Sequence, residues 1–282
     1  MEAFGKTYIS YGSKNDIIKM WGLGDMHLGN RATEKDRLAR DIERIRSDPY
    51  SFWVGIGDYA DFIHIGDRRF DAECLDPEIV SAADLGKLGR VLAESVAKWL
   101  APIADKCIGL CMGNHEVSYM RDKDQQDLHA WLCTELGVKN LRYSALGWLI
   151  FARTKVRHPV LSYQCPGQAS FRSIMMMVHH GAGSAATKSG RAGRMEKFQN
   201  LSTADIVFVG HNHDSSEMSC PQLSLSADGS KIVERARRVV MCGSYLRTYA
   251  SGMTGYGEVR AYSPSTLGAR YVEICPATGE IR

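Results

Sequence analysis

Short apolar runs alternate along the chain with longer segments in which apolar residues recur at helical spacing. The apolar runs predict β-strands at residues 17–23, 52–56, 107–112, 173–178 and 206–209. The segment 147–178 is expected to hold two or three strands, of which 173–178 is the last, and further strands are expected at 239–242 and 270–274. Segments 33–47, 84–100 and 125–136 have the period of amphipathic helices, and a short helix is expected around Met195, Phe198 and Leu201. The order strand, helix, strand at the start indicates a βαβ unit.

Local sequence signals mark the ends of two of these helices. Thr33, with Asp36 three residues later, predicts an N-cap, and Pro49 would close the same helix. Gly137 is expected to be a C-cap glycine after 125–136.

No repeat or flexible linker divides the chain, so we expect a single domain over 1–282. Its site motifs lie within 18–214, and C-terminal strands and a capping loop follow in 215–282.

Composition limits the class of partner and the compartment. The net charge of +3 is mild, so a nucleic-acid partner is permitted but not demanded. The eight cysteines form no CxxC pair, the first residues do not have the features of a signal peptide, and no apolar run is long enough to span a bilayer. These features predict a cytoplasmic protein with free thiols and no membrane association. They leave the oligomeric state open.

Five polar motifs each follow an apolar run, and together they contain six of the nine histidines. They read Gly24-Asp25-Met26-His27, Gly57-Asp58-Tyr59-Ala60-Asp61, Gly113-Asn114-His115-Glu116, His179-His180-Gly181 and Gly210-His211-Asn212-His213. The glycine that opens four of them would let the backbone turn sharply at the strand end. Each motif alone is weak evidence for a metal site. All five in this order are stronger evidence, because the packing of a core does not require them. Gathered at one sheet edge, their carboxylate, amide and imidazole groups would hold two metal ions.

In this order the motifs resemble those of the calcineurin-like metallophosphoesterase superfamily, over residues 18–214. The overall pattern is also similar to members of phage and prophage origin. The resemblance implies an α/β fold, a two-sheet β-sandwich flanked by helices in four αββα layers. It also implies a dinuclear metal site at the strand ends.

Carried over by position, the resemblance implies a role for each motif residue. One ion would be bound by Asp25, His27 and His213, the other by Asn114, His211 and one histidine of the pair His179 and His180, while Asp58 would bridge both. Superfamily members with His-Gly use the second histidine and those with His-His the first, so both stay open, with His180 preferred. His115 would face the phosphate and act with Asp58 in catalysis.

The mixed nitrogen and oxygen ligand set suits Mn, which we prefer, or Fe, Zn or Ni, rather than Mg or Ca. Two such divalent ions would hold a bridging hydroxide and clamp the phosphoryl oxygens during in-line attack. His115 would then protonate or hydrogen-bond the leaving oxygen. Asp61 and Glu116 are expected to orient ligating histidines through hydrogen bonds.

Two features bear on the substrate. Protein serine/threonine phosphatases of this superfamily carry an arginine directly after the second motif, where this chain has Phe62-Ile63. Because monoester dianions gain most from such a clamp, its absence favours a phosphodiester, including nucleic acid or a cyclic nucleotide. Arg191 and Arg194, in a basic stripe with Lys188 and Lys197, are candidate substrate contacts or else a solvated helix face.

The sequence therefore predicts a metal-dependent phosphodiesterase or nuclease. The alternatives are a phosphomonoesterase acting on a small molecule or a protein, and a metal-binding scaffold without catalysis. The segment 243–268, with four tyrosines and two arginines, would bind single strands or simply cap the fold.

Overall fold

Two β-sheets pack face to face in the computed structural model, which describes residues 1–121, 127–183, 187–226 and 228–282. The strands described are β1 (Glu2–Tyr11), β2 (Ile18–Leu23), β3 (Ser51–Gly55), β4 (Cys107–Leu110), β5 (Ser144–Arg153), β6 (Val160–Ser162), β7 (Ser170–His179), β8 (Ile206–Val209), β9 (Ser216–Ser219), β10 (Gln222–Leu225), β11 (Ile232–Arg235), β12 (Arg238–Met241), β13 (Arg270–Cys275) and β14 (Glu280–Ile281). One sheet has the order β6-β1-β5-β7-β8-β12-β9 and the other β14-β13-β2-β3-β4, while β10 and β11 form a separate hairpin.

Helices cover the outer faces of the two sheets. They are α1 (Lys35–Ser47), α2 (Leu88–Leu100), α3 (Asn114–Tyr119), α4 (Leu128–Glu135), α5 (Lys188–Asn200) and α6 (Tyr256–Val259). Three 3₁₀ turns lie at Ala72–Cys74, Ala82–Lys87 and Ala101–Lys106. Among the described residues, no helix is both long and apolar enough to cross a membrane.

The alternation of side chains along the strands produces separate apolar layers. In β2, Met20 faces the interior between the sheets, where it joins Phe208 of the other sheet. Its neighbour Trp21 points the opposite way, into a cluster formed with α1, α2 and α4. On the far side, Met195 and Phe198 of α5 pack on the outer face of the seven-stranded sheet. Each sheet thus packs on the other sheet by one face and on helices by the opposite face, which confirms the predicted four-layer αββα fold.

The carboxyl ends of the parallel strands meet where the two sheets adjoin. Strands β2, β3 and β4 are parallel neighbours, as are β7 and β8. The five motifs begin at or within two or three residues of the ends of these strands. The topology therefore brings together side chains that are up to 188 residues apart, from Asp25 to His213.

The helix ends differ from the prediction in several places. Thr33 does not cap α1, because its hydroxyl donates to the carbonyl oxygens of Met26 and His27 in the first motif, and the helix begins at Lys35. The segment from 84 begins as a 3₁₀ turn. Helix α4 begins at Leu128, because Asp127 is its N-cap and accepts the backbone N–H of Ala130, while residues 125 and 126 of the predicted helix lie outside the described residues.

The predicted short helix near Met195 is longer than expected, running from Lys188, and it ends before Leu201, which is 53% exposed. Strand β1, the hairpin β10–β11 and the strands β9 and β14 had no counterpart in the prediction. Gly137, with φ of 65°, lies where a C-cap glycine was expected.

Candidate metal centre

The first cluster of ligand atoms joins the first and fifth motifs. Single ligand atoms of Asp25, His27 and His213 all lie within 4.8 Å of one another. The Nε2 atoms of His27 and His213 are 3.1 Å apart, and Nε2 of His213 is 3.6 Å from Oδ1 of Asp25. These three residues are the ones that the resemblance assigned to one ion.

The second cluster joins the second, fourth and fifth motifs through Asp58, His180 and His211, again within 4.8 Å. Nε2 of His180 lies 3.2 Å from Oδ2 of Asp58 and 2.9 Å from Oδ1 of Asn114. The same Oδ2 of Asp58 lies 4.0 Å from Nε2 of His27, in the first cluster. Asp58 is therefore placed between the two clusters.

The donor atoms fit divalent metal ions. Oδ1 of Asp25 is fully buried and has no hydrogen-bond partner, an arrangement that is costly unless a cation satisfies it. Two imidazole nitrogens 3.1 Å apart, from His27 and His213, have the spacing of two ligands on one ion with bonds of about 2.0–2.1 Å. Burial lowers the pKa of His211 to about 4, which keeps its imidazole in the neutral form that binds metal.

The electrostatics of Asp58 favour its ionised form. Burial opposes ionisation, but the neighbouring imidazoles of His180 and His115 hold its pKa well below the usual range. Asp58 also accepts the backbone N–H of His115 at 2.9 Å. The ionised carboxylate can therefore bind a cation in each of the two clusters.

The backbone at the site is held in an uncommon conformation. Five candidate ligands have positive φ, with values of 45°, 50°, 52°, 71° and 49° at Asp25, His27, Asp58, His211 and His213. Non-glycine residues seldom adopt this region, and the cost of about 1–3 kcal/mol each is typically found at functional sites. The strained backbone directs these side chains toward a common point.

Glycine is needed at the site for two different reasons. Gly57 has φ of 95°, so it provides the sharp turn that was expected. At Gly113 the reason is space, because a Cβ atom there would lie 2.0 Å from Oδ1 of Asp58. The loops of the second and third motifs therefore approach each other too closely for any side chain between them.

Asp61 and Glu116 support the ligands in different ways. Oδ1 of Asp61 lies 3.1 Å from Nδ1 of His27, the kind of contact that orients a ring, and its other oxygen accepts a hydrogen bond from the side chain of Asn30. The contacts of Glu116 are with backbone groups. Its carboxylate accepts the backbone N–H groups of Gly113, Asp58 and Tyr59 at 2.7, 3.0 and 2.8 Å. Glu116 thus joins the loops of the second and third motifs.

His115 lies at the edge of the clusters. Its Nδ1 bonds the carbonyl oxygen of Asp61, and its ring meets the ring of His27 edge-on at 4.8 Å. Burial opposes its charged form, yet Asp58 and Asp61 raise the pKa of His115 above its ordinary value. One nitrogen of His115 also lies within 4.8 Å of ligand atoms of His27 and Asp58. This is the same limit that the members of the two clusters meet, so His115 is near enough to be a ligand.

The two histidines of the fourth motif point in different directions. Nδ1 of His180 bonds the carbonyl oxygen of Ile56 at 2.7 Å, which leaves Nε2 facing Asp58. His179 instead accepts the backbone N–H of Gly181 and packs against Phe198, with ring centroids 4.9 Å apart. Of the two alternatives, the structure brings His180 into the cluster and leaves His179 outside it.

The two arginines predicted to contact substrate bind protein groups. Arg191 lies 3.2 Å from Asp214 and also lines the cavity beside the clusters. Arg194 donates to the carbonyl oxygen of Ala182 and does not line that cavity. Both therefore tie α5 to the loops after the fourth and fifth motifs.

A cavity of about 730 Å³ opens beside the ligand clusters. His27, Asp58, His115 and His211 line one part of it, and residues within 63–75, at the start of α2 and within 246–265 contribute to its other walls. Arg69 in the first of these segments is not among the site residues that the sequence predicts. The run Asp67-Arg68-Arg69 was the available signal, and Arg69 is close enough to His115 for its charge to oppose the rise in the pKa of that histidine.

Acidic and imidazole ligands at the strand ends of a two-sheet sandwich define a class of metal-dependent hydrolases. A family model for calcineurin-like phosphoesterases matches residues 18–215, and the chain belongs to that family. This match confirms the superfamily expected from the motifs. The comparison with curated proteins found no match.

Proposed function

We propose that the chain hydrolyses phosphodiesters at the two clusters, using divalent ions of which Mn is preferred. The observation that carries the proposal is the position of Asp58 between a cluster with Asp25, His27 and His213 and a cluster with His180 and His211. Two ions held there would polarise the phosphoryl oxygens and lower the pKa of bound water. The roles given to individual residues are part of this proposal.

In this reaction His115 would supply a proton to the leaving oxygen. In the metal-free protein burial opposes the charged form of His115, while Asp58 and Asp61 raise its pKa above the ordinary value, and such a histidine can act as a general acid. The carbonyl oxygen of Asp61 accepts from Nδ1, which fixes the tautomer and leaves Nε2 to act. His115 also lines the cavity, where a substrate would lie.

The charge of the cavity supports a diester rather than a monoester. Four arginines among the described residues line it, and three of them form salt bridges, Arg69 with Asp67, Arg191 with Asp214 and Arg247 with Glu34. The positive charge of these three is therefore compensated before any substrate binds, and Arg68 is the fourth. A diester carries a single negative charge and needs less compensation from the protein than a monoester dianion does.

A phosphomonoesterase is the second candidate, and Arg69 is the observation that favours it. This arginine lines the same cavity as His115, so it could take the place of the arginine missing after the second motif. Its salt bridge with Asp67, at 2.7 Å, would have to open for that role.

The test is a comparison of bis(4-nitrophenyl) phosphate with 4-nitrophenyl phosphate, using protein loaded with Mn. We expect the higher kcat/KM for the diester, with activity lost on chelation and in His115→Ala. A higher kcat/KM for the monoester would replace this proposal by the second candidate. Hydrolysis of neither ester would favour a non-catalytic scaffold.

Nucleic acid is one class of diester to be tested, and the salt dependence of binding would reveal it. Arg191→Ala with Arg194→Ala should flatten a steep salt dependence if these side chains meet phosphates. An equal loss of activity on a small aryl diester would instead indicate that the two arginines support the loops, as their contacts with Asp214 and Ala182 allow.

All eight cysteines are free, which supports a cytoplasmic setting for the enzyme.

A further inference from the structure

Apolar side chains from three separate segments line part of the cavity beside the ligand clusters. The segment before the first 3₁₀ turn contributes one, the start of α2 contributes two and the C-terminal segment contributes three. They are Phe70, Leu88, Leu92, Leu246, Met253 and Val259. This apolar subsite is continuous with the part lined by Asp58 and His115.

The walls of the apolar subsite are fixed to the loop that follows the first motif. The N–H of Arg31 donates to the carbonyl oxygen of Cys74 at 2.7 Å, and the N–H of Arg247 donates to that of Ala32 at 3.1 Å. The side chain of Asn30 in the same loop donates to Asp61, which holds His27. The distance from the walls to the ligand clusters is therefore set by the fold.

The exposure of the side chains shows which wall remains available to a ligand. Leu88 and Leu92 are 1% and 2% exposed and form the packed base. Val259, in contrast, is 69% exposed although it lines the cavity. Covering this apolar surface with an apolar group would remove it from water and favour binding.

The volume and the charges restrict what the subsite would accept. A cavity of about 730 Å³ is within the range of small-molecule sites. Arg69 and Arg247, which line the cavity together with these apolar side chains, each form a salt bridge with a carboxylate, so their charges are compensated, while Arg68 lines the same cavity.

We propose that the apolar subsite binds a ring-bearing, apolar substituent of the diester. The enzyme would then select aryl-type diesters over small alkyl diesters of the same charge. This inference rests on the proposed function, because it places the organic group of a diester next to the ligand clusters.

The test is calorimetric binding of diphenyl phosphate and diethyl phosphate to protein loaded with Mn. Both probes carry one negative charge and differ in the size and apolarity of their substituents. We expect diphenyl phosphate to bind at least about tenfold more tightly, the scale of discrimination an apolar pocket provides. Equal affinity in the wild-type protein would overturn the inference.

Substitutions show whether the subsite is responsible. Val259→Asp should reduce the preference to less than about threefold while leaving the affinity for diethyl phosphate nearly unchanged. Val233→Asp is the matched control, since Val233 lies on the hairpin β10–β11 and not at the cavity. Met253→Ser is the second variant, for use if Val259→Asp does not fold. A preference that survives the cavity variants would overturn the proposal.

Failure of this inference and failure of the proposed function give different results. Hydrolysis of bis(4-nitrophenyl) phosphate with equal binding of the two probes would retain the diesterase and remove the subsite. A preference of about tenfold for diphenyl phosphate, without hydrolysis of any diester, would retain the subsite and remove the diesterase.

Discussion

The carboxylate of Glu116 accepts the backbone N–H of Asp58 at 3.0 Å while also accepting those of Gly113 and Tyr59. Burial raises the pKa of Glu116 to about 7, and the three N–H groups favour its ionised form. One carboxylate therefore fixes the loop that carries Asp58 against the loop that carries the third motif.

Replacing Glu116 by glutamine should destabilise the protein and lower its metal content. An amide has one acceptor oxygen, and its NH₂ group would face backbone donors. We expect a loss of about 2 kcal/mol in the free energy of unfolding, measured with urea. Glu135→Gln, at an exposed helix position, is the control. An unchanged free energy for Glu116→Gln would show that these bonds contribute little.

His115→Ala should separate catalysis from metal binding. If His115 acts on the leaving group, the variant retains its metal ions and loses about 10²–10⁴ in kcat. Metal content and diester hydrolysis are measured on the same preparation. Because one nitrogen lies within 4.8 Å of His27 and Asp58, a loss of metal would instead make His115 a ligand.

The sequence anticipated the fold layers and the motif positions because both depend on local patterns. Trp21 and Met20 alternate between two cores, as the strand period requires, and each motif directly follows its strand. Strand β1 escaped prediction because Gly5 lies at an irregularity and its partner β5 is far away in the sequence. The hairpin β10–β11 has all eight strand residues exposed, so no burial pattern marks it.

Within the site, the contacts that were missed depend on tertiary structure. The position of Arg69 near His115 comes from a long irregular segment. Glu116 in the third motif accepts the backbone N–H groups of Asp58 and Tyr59 in the second motif, 58 and 57 residues away in the sequence. The choice between His179 and His180 also required the orientation of each ring. The single domain and the likeness to phage-type members stay predictions.

The buried His129 should make stability depend on pH. Burial lowers its pKa to about 4, whereas the unfolded chain has the ordinary value of 6.5. Between these values the unfolded state binds the proton and the folded state does not, so stability falls as the pH falls. The contribution is up to about 1.4 kcal/mol per pH unit.

The measurement is the difference between wild type and His129→Gln in urea unfolding of metal-free protein at several pH values. Glutamine does not titrate and retains a donor for the carbonyl oxygen of Leu110, which Nε2 of His129 contacts at 3.1 Å. We expect the variant to lose less stability on acidification below 6.5. Parallel pH profiles would show that His129 does not carry this effect.

The metal content of the protein shows whether Asp58 joins two metal-binding clusters. After loading with Mn and removal of free metal, elemental analysis of the wild-type protein should give about two ions per chain. Asp58→Asn should lose metal from both clusters, because its carboxylate lies 3.2 Å from His180 and 4.0 Å from His27. The role of Asp58 between two metal-binding clusters would be contradicted by a wild-type protein that binds one ion or none. It would equally be contradicted by an Asp58→Asn variant that retains the full wild-type metal content.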